Sequence, residues 1–518
     1  MKNKEHPWIK LKRYPHIGFP IEGKDVPKIE AYITNKQNIK QHDFLPFIHR
    51  TMTQRKFRAN PDGERNEKSK KRSRILEKPK KREIYFANHM DSQIFSYYSY
   101  LLGDKYENFI KDKIYNQAVV AYRKIPLKEG SRKNKCNIEF ALDAFQFIRN
   151  NQEKDLCVVV ADVTDFFDSL DWFILKRKWA EILGGTKLPD DHYSVFKALT
   201  RVRYVEENQL FKKLKDKIWV RARADDEQKT IVRKQKKISH IQFLKENRAI
   251  AYCDKNDFVK NHLHLVRKST KTKGIPQGTA LSATLANIYM IDFDEKIQKI
   301  IDDCKGFYQR YSDDLILVFP REKQQEILKE LRRLIEEEAK LEIHKNKTKV
   351  YHFGKINGKF TGYEVDEITG AKKNKVLEYL GFTYDGQRVL IKTQGFSKFH
   401  RSMKRSFKRA TSLAVHAKTT PDEIYKHRLY KRFTYKGSQR RMRKEGKKVV
   451  RVHDWGNYLT YVNKSNAVFR EFNGNDAIKK QSRKTWNRFH QLMNQSLNKI
   501  EKDNTKSGYI SIDTFLEN

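Results

Sequence analysis

Unbroken apolar runs predict two buried strands in the middle of the chain. Cys157–Val160 lead into Asp162, and Leu315–Phe319 form the second run. Runs of four to eight such residues are typical of strands that are covered on both faces. Asp313 and Asp314 directly precede the second run. Two adjacent carboxylates are therefore placed where a buried strand begins.

Helical spacing of apolar positions predicts helices around these strands. The pattern is clear at 281–301 and 327–335, and a further helix is predicted at 91–102. Short strands are predicted at 349–353 and 377–384. This mixture of short strands and amphipathic helices favours an α+β fold.

The charge balance points to a long polyanionic partner. The chain has 518 residues, with 109 Lys and Arg against 64 Asp and Glu, and a formal net charge of +45. Such an excess favours nucleic acid. No apolar run approaches the roughly 18 residues of a membrane span, and no signal peptide opens the sequence. Four cysteines without paired spacing indicate a reducing, cytoplasmic location.

The paired aspartates differ from the other Asp-Asp pairs in this chain because an unbroken apolar run follows them directly. If the two buried strands are neighbours in one antiparallel sheet, Asp162, Asp313 and Asp314 converge at one end of it. Carboxylates a few Å apart repel each other unless a cation offsets their charge. Two divalent ions held by such a set catalyse phosphoryl transfer in polymerases and nucleases. Mg²⁺ suits these oxygen ligands, and Mn²⁺ is an alternative.

Five segments in this order resemble the motifs of reverse transcriptases, which are RNA-directed DNA polymerases. They are VVVADVTDFFDSLDW (158–172), GIPQGTALSATLANIYM (274–290), YSDD (311–314), NKTK (346–349) and EYLGF (378–382). The resemblance covers roughly residues 70 to 385. It implies a right-hand polymerase with fingers, a palm containing an antiparallel sheet, and a helical thumb.

The resemblance also implies roles for individual residues at the reaction centre. Asp162, Asp313 and Asp314 match the ligands of two metal ions, with the backbone carbonyl of Val163 assisting. Lys347 matches a proton donor to the leaving pyrophosphate, although Lys349 is close enough in sequence to leave that choice open.

Further implied roles concern the incoming nucleotide and the primer. Lys81 and Arg82 match finger residues that grip the triphosphate, Asp165 and Phe166 support it through the backbone, Gln277 touches the nascent base pair, and Leu380 and Gly381 form the primer grip. Phe167 matches the steric gate, where an aromatic ring in contact with the sugar C2′ leaves no room for a ribose hydroxyl. The alternative for Phe167 is a core residue beside Phe166.

The domain organisation follows from the same resemblance. We expect an N-terminal extension at 1–64, fingers at 65–155 and a palm at 156–385. The palm contains a basic insertion at about 200–270, and a basic, mostly helical thumb occupies 386–518.

Three segments narrow the resemblance to the bacterial defence-associated and abortive-infection reverse transcriptases. They are YPHIG (14–18), AYR (121–123) and GNYLTYVNKSNAVF (456–469). This group implies dNTPs as substrates, DNA as product, a structured non-coding RNA as template and antiviral defence as the role. A homo-oligomer or a partner protein is compatible with it.

Three alternatives stay open at this point. A template-independent or self-primed DNA polymerase of the same family fits the same motifs. A group II intron-like maturase or RNA-binding protein without catalysis is disfavoured by the intact carboxylates. An RNA polymerase on the same palm is disfavoured by Phe167, since ribonucleotides need space at the sugar.

Overall fold

The structure is a computed structural model of the chain, which carries no ligands. It describes residues 7–60, 62–65, 67, 73–223, 231–344, 347–417, 424, 426–438, 442–445, 448–451 and 456–506. All statements below refer to these residues.

The described chain alternates short strands with helices. The strands are β1 (His16–Ile17), β2 (Phe47–Ala59), β3 (Arg74–Phe86), β4 (Leu156–Asp162), β5 (Arg203–Glu206), β6 (Ile218–Arg223), β7 (Ile231–Lys236), β8 (Ala249–Cys253), β9 (Arg267–Lys268), β10 (Phe307–Tyr311), β11 (Asp314–Pro320), β12 (Lys349–Ile356), β13 (Lys359–Val365), β14 (Lys372–Lys373), β15 (Leu377–Tyr379), β16 (Phe382–Tyr384), β17 (Val389–Ile391), β18 (Met442–Glu445) and β19 (Lys448–Arg451). The helices are α1 (Val26–Thr34), α2 (Lys36–Lys40), α3 (His89–Ile110), α4 (Asn137–Asn150), α5 (Phe166–Ser169), α6 (Trp172–Ile182), α7 (Asp190–Thr200), α8 (Glu207–Leu214), α9 (Lys255–Asn261), α10 (Leu281–Tyr289), α11 (Ile291–Asp303), α12 (Gln324–Glu337), α13 (Thr393–His416), α14 (Lys426–Phe433), α15 (Tyr435–Ser438), α16 (Tyr458–Asn473), α17 (Ala477–Lys480) and α18 (Lys484–Lys506).

A six-stranded sheet with the order β10-β11-β4-β12-β13-β14 forms the centre of the molecule. Every neighbouring pair in it is antiparallel. The two predicted buried strands, β4 and β11, are direct neighbours. The expected α+β fold with an antiparallel palm sheet is confirmed.

Burial on both faces explains the unbroken apolar runs. Val159 and Ala161 of β4 belong to a core shared with helices α3, α6, α10, α11 and α12. Leu156 and Val158 of the same strand belong to a second core with α4, α16 and the three-stranded sheet β15-β16-β17. Side chains alternate between the two faces of a strand, so each face needs its own apolar set.

A second sheet, β3-β2-β5-β9, carries the segment that contains Lys81 and Arg82. Its long hairpin pairs β2 with β3 from Ile48↔Phe86 to Ala59↔Arg74. The outer part of the hairpin is exposed, as Phe57 and Leu76 show.

The basic insertion forms a third sheet together with the N-terminal segment. Its order is β1-β8-β6-β7, and β1 runs parallel to β8 through His16↔Ala251 and Ile17↔Cys253. The hydrophobic core beneath this sheet also includes Ile48 of β2 and Val205 of β5 from the second sheet. The predicted domain boundaries stay predictions, but residues 14–18 and the insertion share one hydrogen-bonded unit.

Helices dominate the chain after β17. Phe399, Met403 and Phe407 of α13 pack with Phe489 and Met493 of α18 in a separate core. The described part of the chain contains no helix with the length and apolarity that a bilayer crossing requires. The four cysteines are free thiols.

Candidate active site

Asp162 is the last residue of β4, and Asp314 is the first residue of the neighbouring strand β11. The two residues are direct cross-strand partners in the register of β4 and β11. The backbone fixes Asp313 beside them, because the Val163 N–H donates to the Asp313 carbonyl at 3.0 Å. The convergence of these three positions at one end of the sheet is therefore a property of the strand register.

The turn between β10 and β11 holds an unusual backbone conformation at Ser312. Its φ is +64°, in the left-handed region that a side chain rarely adopts. Its hydroxyl lies 3.1 Å from the Tyr122 hydroxyl. Its carbonyl accepts a hydrogen bond from the Arg310 guanidinium at 3.2 Å. The turn that presents Asp313 is thus fixed from two sides.

A buried ion pair lies behind this turn. Arg310 donates to both carboxylate oxygens of Asp294, at 2.8 and 2.6 Å, and both side chains are fully buried. Tyr308 also donates to Asp294, at 2.7 Å. Arg310 further contacts Asn287, whose amide donates to the Ala121 carbonyl at 2.9 Å. The network joins α10, α11 and β10 to the turn.

Lysines supply the positive charge at the carboxylates. Lys347 donates to Asp162 at 2.5 Å, and Lys392 lies 2.5 Å from Glu378. Burial raises the pKa of Asp314 to about 6, and repulsion from Asp313 and Asp162 adds to the rise, while Lys347 and Lys392 oppose it. The site therefore retains negative charge that its own lysines do not fully offset.

The donor set fits a divalent cation in its chemistry. Carboxylate oxygens and a backbone carbonyl are the ligands that Mg²⁺ prefers, and repulsion from Asp313 and Asp162 contributes, after burial, to the raised pKa of Asp314. In the described residues no three His, Cys, Asp or Glu side chains are grouped closely enough to hold a metal ion. The Lys347 ammonium instead contacts Asp162, where a bound cation would compete with it.

A cleft of about 610 Å³ opens in front of Asp162 and Asp314. Leu380 and Gly381 line it together with Lys347 and Lys349. The φ angle of Gly381 is +92°, and its carbonyl accepts from the Lys392 N–H at 2.9 Å. The structure thus brings the predicted primer-grip residues and both lysine candidates to the same cleft as the carboxylates. Asp313 does not line it.

The predicted nucleotide residues after β4 form a short helix and a tight turn. Phe166 is buried in the main core, whereas Phe167 is only partly buried and packs against its edge. The Phe167 carbonyl accepts from the Ile275 N–H at 2.8 Å. Asp165 is exposed and has a φ of +43°. Phe167 is therefore positioned by its backbone while part of its ring stays accessible, and its role as a gate stays a prediction.

Gln277 connects this turn to the sheet of the hairpin. Its side-chain amide donates to Asp168 at 3.1 Å, and its carbonyl accepts from the Tyr85 N–H at 3.0 Å. Gly278 follows with a φ of +117°, and a Cβ there would lie 2.9 Å from the Tyr85 carbonyl. Only glycine permits this close approach.

Lys81 and Arg82 lie on β3, a few residues before Tyr85. Both side chains are exposed, and within the described part of the chain neither has an ion-pair partner. They do not line the cleft at Asp162. Of the NKTK motif, Asn346 lies outside the described residues.

Two groups of site residues were not anticipated from the sequence. Arg310 and Asp294 support the turn from behind, and the available signal was the position of Arg310 directly before the YSDD motif. Glu378 and Lys392 line the cleft as an ion pair. Their sequence contexts are ordinary, and only the packing of β15 beside the segment after β17 brings them together.

Comparisons with known proteins agree with part of this assignment. Residues 216–384 match the family model described as reverse transcriptase (RNA-dependent DNA polymerase). This stretch includes Asp313 and Asp314 but not Asp162. No curated protein matches the chain.

Among solved structures, yeast telomerases align with the chain at low similarity. A C-terminally truncated apo telomerase from Candida tropicalis has 12% identity and a TM-score of 0.33, covering 71% of this chain and 60% of its own. The apo telomerase of that species has 13% identity and a TM-score of 0.31, with 72% and 55% covered. A Candida albicans telomerase in complex with a TWJ fragment of telomeric RNA has 11% identity and a TM-score of 0.35, with 96% and 73% covered.

The chain thus spans 60% and 55% of the first two of these structures. The assignment of its central region depends on the family match and on the observed sheet. Residues 216–384 are similar to reverse transcriptases, and the chain has the expected α+β fold with an antiparallel central sheet.

Proposed function

We propose that this protein is an RNA-directed DNA polymerase that extends a primer with dNTPs at the cleft of Asp162 and Asp314. The observation that carries the proposal is the direct cross-strand pairing of these two residues, with Asp313 in the adjoining turn. The match of residues 216–384 to reverse transcriptases supports it independently.

In this proposal, the carboxylates bind the metal ions and the residues that border the cleft position the primer. Two Mg²⁺ ions held by Asp162, Asp313, Asp314 and the Val163 carbonyl would, when bound, supply charge neutralisation at the phosphates. Leu380 and Gly381 border the cleft and would position the primer end.

The lysine and arginine side chains would act on the nucleotide phosphates. Lys347, which contacts Asp162, would turn toward the phosphates and donate a proton to the leaving pyrophosphate. Lys81 and Arg82 would bind the triphosphate, a role that suits exposed cations with no ion-pair partner among the described residues.

The first test is incorporation of labelled dNTPs by the purified full chain on a primed RNA template. Asp313→Asn should lower incorporation by on the order of 10³-fold, because it removes one charge at the reaction centre. Asp303→Asn is the matched control, since Asp303 is exposed at the end of α11. Unchanged incorporation by the Asp313 variant would refute the assigned carboxylate set.

The second test concerns the choice of sugar. Phe167→Ala opens space at C2′ and should shift the preference from dNTPs toward rNTPs, measured as the ratio of kcat/KM values. Phe166→Leu is a control for loss of packing, because Phe166 is buried in the core. An unchanged ratio in the Phe167 variant would remove the gate assignment.

We further propose that the template is a structured non-coding RNA, that the role is antiviral defence and that the location is cytoplasmic. The support for this is the sequence resemblance at 14–18, 121–123 and 456–469, together with the charge of +45. Sequencing the nucleic acid that copurifies with the protein, with and without added dNTPs, tests it. One dominant RNA with complementary DNA is expected. DNA without a complementary RNA would instead indicate untemplated or self-primed synthesis.

A further inference from the structure

A second charged cleft lies between α13 and α14, away from the carboxylates. Its volume is about 540 Å³, and four arginines line it: Arg405, Arg409, Arg428 and Arg432. We call it the arginine cleft. It shares no lining residue with the cleft at Asp162.

Among the residues that the structure describes, no carboxylate lines the arginine cleft. Arg432 donates to the Ser406 hydroxyl at 3.2 Å, and Arg409 forms an exposed 3.6 Å ion pair with Glu246 of the insertion. Arg405 and Arg428 have no ion-pair partner among the residues that the structure describes. Gathering like charges without an internal counter-charge is unfavourable, so the arrangement favours a bound anion.

The surrounding sequence offers little acid to neutralise the cleft. From Thr393 to Phe433 there are eleven lysines and arginines, and the two acidic residues are Asp422 and Glu423, both outside the described residues. The local excess of positive charge is therefore a property of the whole segment.

The cleft also has hydroxyl and apolar components. Ser402 and Ser406 lie on the same side of α13 as the arginines, one helical turn apart. Leu413, which is 46% exposed, and Leu429 add apolar surface. Pockets of 300 to 1,000 Å³ with apolar walls and a few converging polar groups suit ligands of nucleotide size.

We propose that the arginine cleft binds a nucleoside 5′-triphosphate group, carried either by a free nucleotide or by the 5′ end of an RNA. Guanidinium groups match phosphate oxygens in a bidentate geometry. Four of them converging on one cleft favour phosphates clustered in a single group. Internal RNA phosphates are separated by riboses, so fewer of them would contact the four arginines at the same time.

Binding can be tested with the full chain in EDTA, so that nucleotide binding at a metal-dependent centre does not contribute. The probe is a fluorescent RNA oligonucleotide with a 5′-triphosphate, compared by anisotropy with the same oligonucleotide bearing a 5′-hydroxyl. We expect the triphosphate to bind at least tenfold more tightly. The double variant Arg405→Gln/Arg428→Gln should lose this preference.

A matched control removes two charges from the same helix outside the cleft. Lys404 and Lys408 are exposed on α13 and do not line it, so Lys404→Gln/Lys408→Gln should retain the preference. Displacement of the probe by ATP would assign the site to free nucleotides, and displacement by triphosphate RNA alone would assign it to RNA ends. Equal binding of the two oligonucleotides, or a preference that survives in the arginine variant, overturns the proposal.

The outcome is separable from the polymerase assignment. Asp313→Asn should leave the triphosphate preference in EDTA unchanged, whether or not the protein synthesises DNA. The arginine variant is scored by binding alone.

Discussion

The two charged clefts of this protein handle electrostatic repulsion in opposite ways. At Asp162 and Asp314 the carboxylates are partly buried, and lysines from other segments contact or face them. In the arginine cleft the guanidinium groups are exposed, and the only ion pair is the loose contact of Arg409 with Glu246 in the described chain. Water screens the second cluster but only weakly screens the first.

Burial decides where a group of like charges requires counter-charge. Like charges at a partly buried sheet end need counter-charge from the protein or from a bound cation, whereas an exposed cluster can persist until a ligand binds. The strongest case of charge offset within the protein is the fully buried pair of Arg310 and Asp294, whose opposite charges offset each other. Three measurements test this contrast.

The largest expected effect is on the buried pair. Arg310→Met leaves Asp294 charged and unpaired in the core, and should lower the free energy of unfolding by about 3–5 kcal/mol. Arg310→Met/Asp294→Leu should recover at least half of that loss, because both charges are gone. Urea unfolding of the three proteins measures this.

The exposed Arg333, which pairs with Glu330 and Glu337 on the surface of α12, provides the control. Arg333→Met should leave the unfolding midpoint almost unchanged, since surface ion pairs contribute little. A double variant at positions 310 and 294 that is less stable than Arg310→Met would show that the pair is not coupled as described.

The next effect is a pH dependence at Asp314. Its pKa is raised from 3.8 to about 6, so the folded state binds more protons than the unfolded state between these values. Stability should therefore fall as the pH rises through this window, by about 3 kcal/mol in all. Thermal unfolding in EDTA from pH 3.5 to pH 7 measures it.

Asp314→Asn removes the titrating group and should flatten that part of the stability profile. Added Mg²⁺ should offset the loss near pH 7 in the wild type but less so in the variant. Identical profiles for the two proteins in EDTA would contradict the assigned burial and repulsion at Asp314.

The smallest effect is expected at the arginine cleft. Arg405→Gln/Arg428→Gln should stabilise the ligand-free protein by on the order of 0.3 kcal/mol per removed charge at low salt, as like charges no longer repel. The gain should vanish at high salt. Destabilisation at low salt would mean that these arginines have an internal structural role.

The palm could be predicted from the sequence because its signals are local. The apolar runs at Cys157–Val160 and Leu315–Phe319 predict strands. Because both faces of these strands must be buried, they lie in the interior of the sheet. The cross-strand pairing of Asp162 with Asp314 then follows from the register. The predicted 281–301 helix is divided at Met290 into α10 and α11. Apolar periodicity that continues across the junction conceals this break.

Long-range packing could not be predicted in the same way. The insertion showed only basic runs between aromatic residues, yet it folds as a sheet with the N-terminal segment. The arginine cleft needs two helices to face each other, and helical periodicity does not specify which faces meet. Lys347 was predicted near the reaction centre, but its contact with Asp162 depends on side-chain placement.

The pairing of β1 with β8 has a consequence for the order of folding during synthesis. Ala251, the partner of His16, is synthesised 235 residues after it. At about 5–20 residues per second this is a delay of roughly 12–50 s. Throughout that interval the nascent N-terminal strand has an unpaired edge. The sheet β1-β8-β6-β7 can therefore be completed only after the insertion has been synthesised.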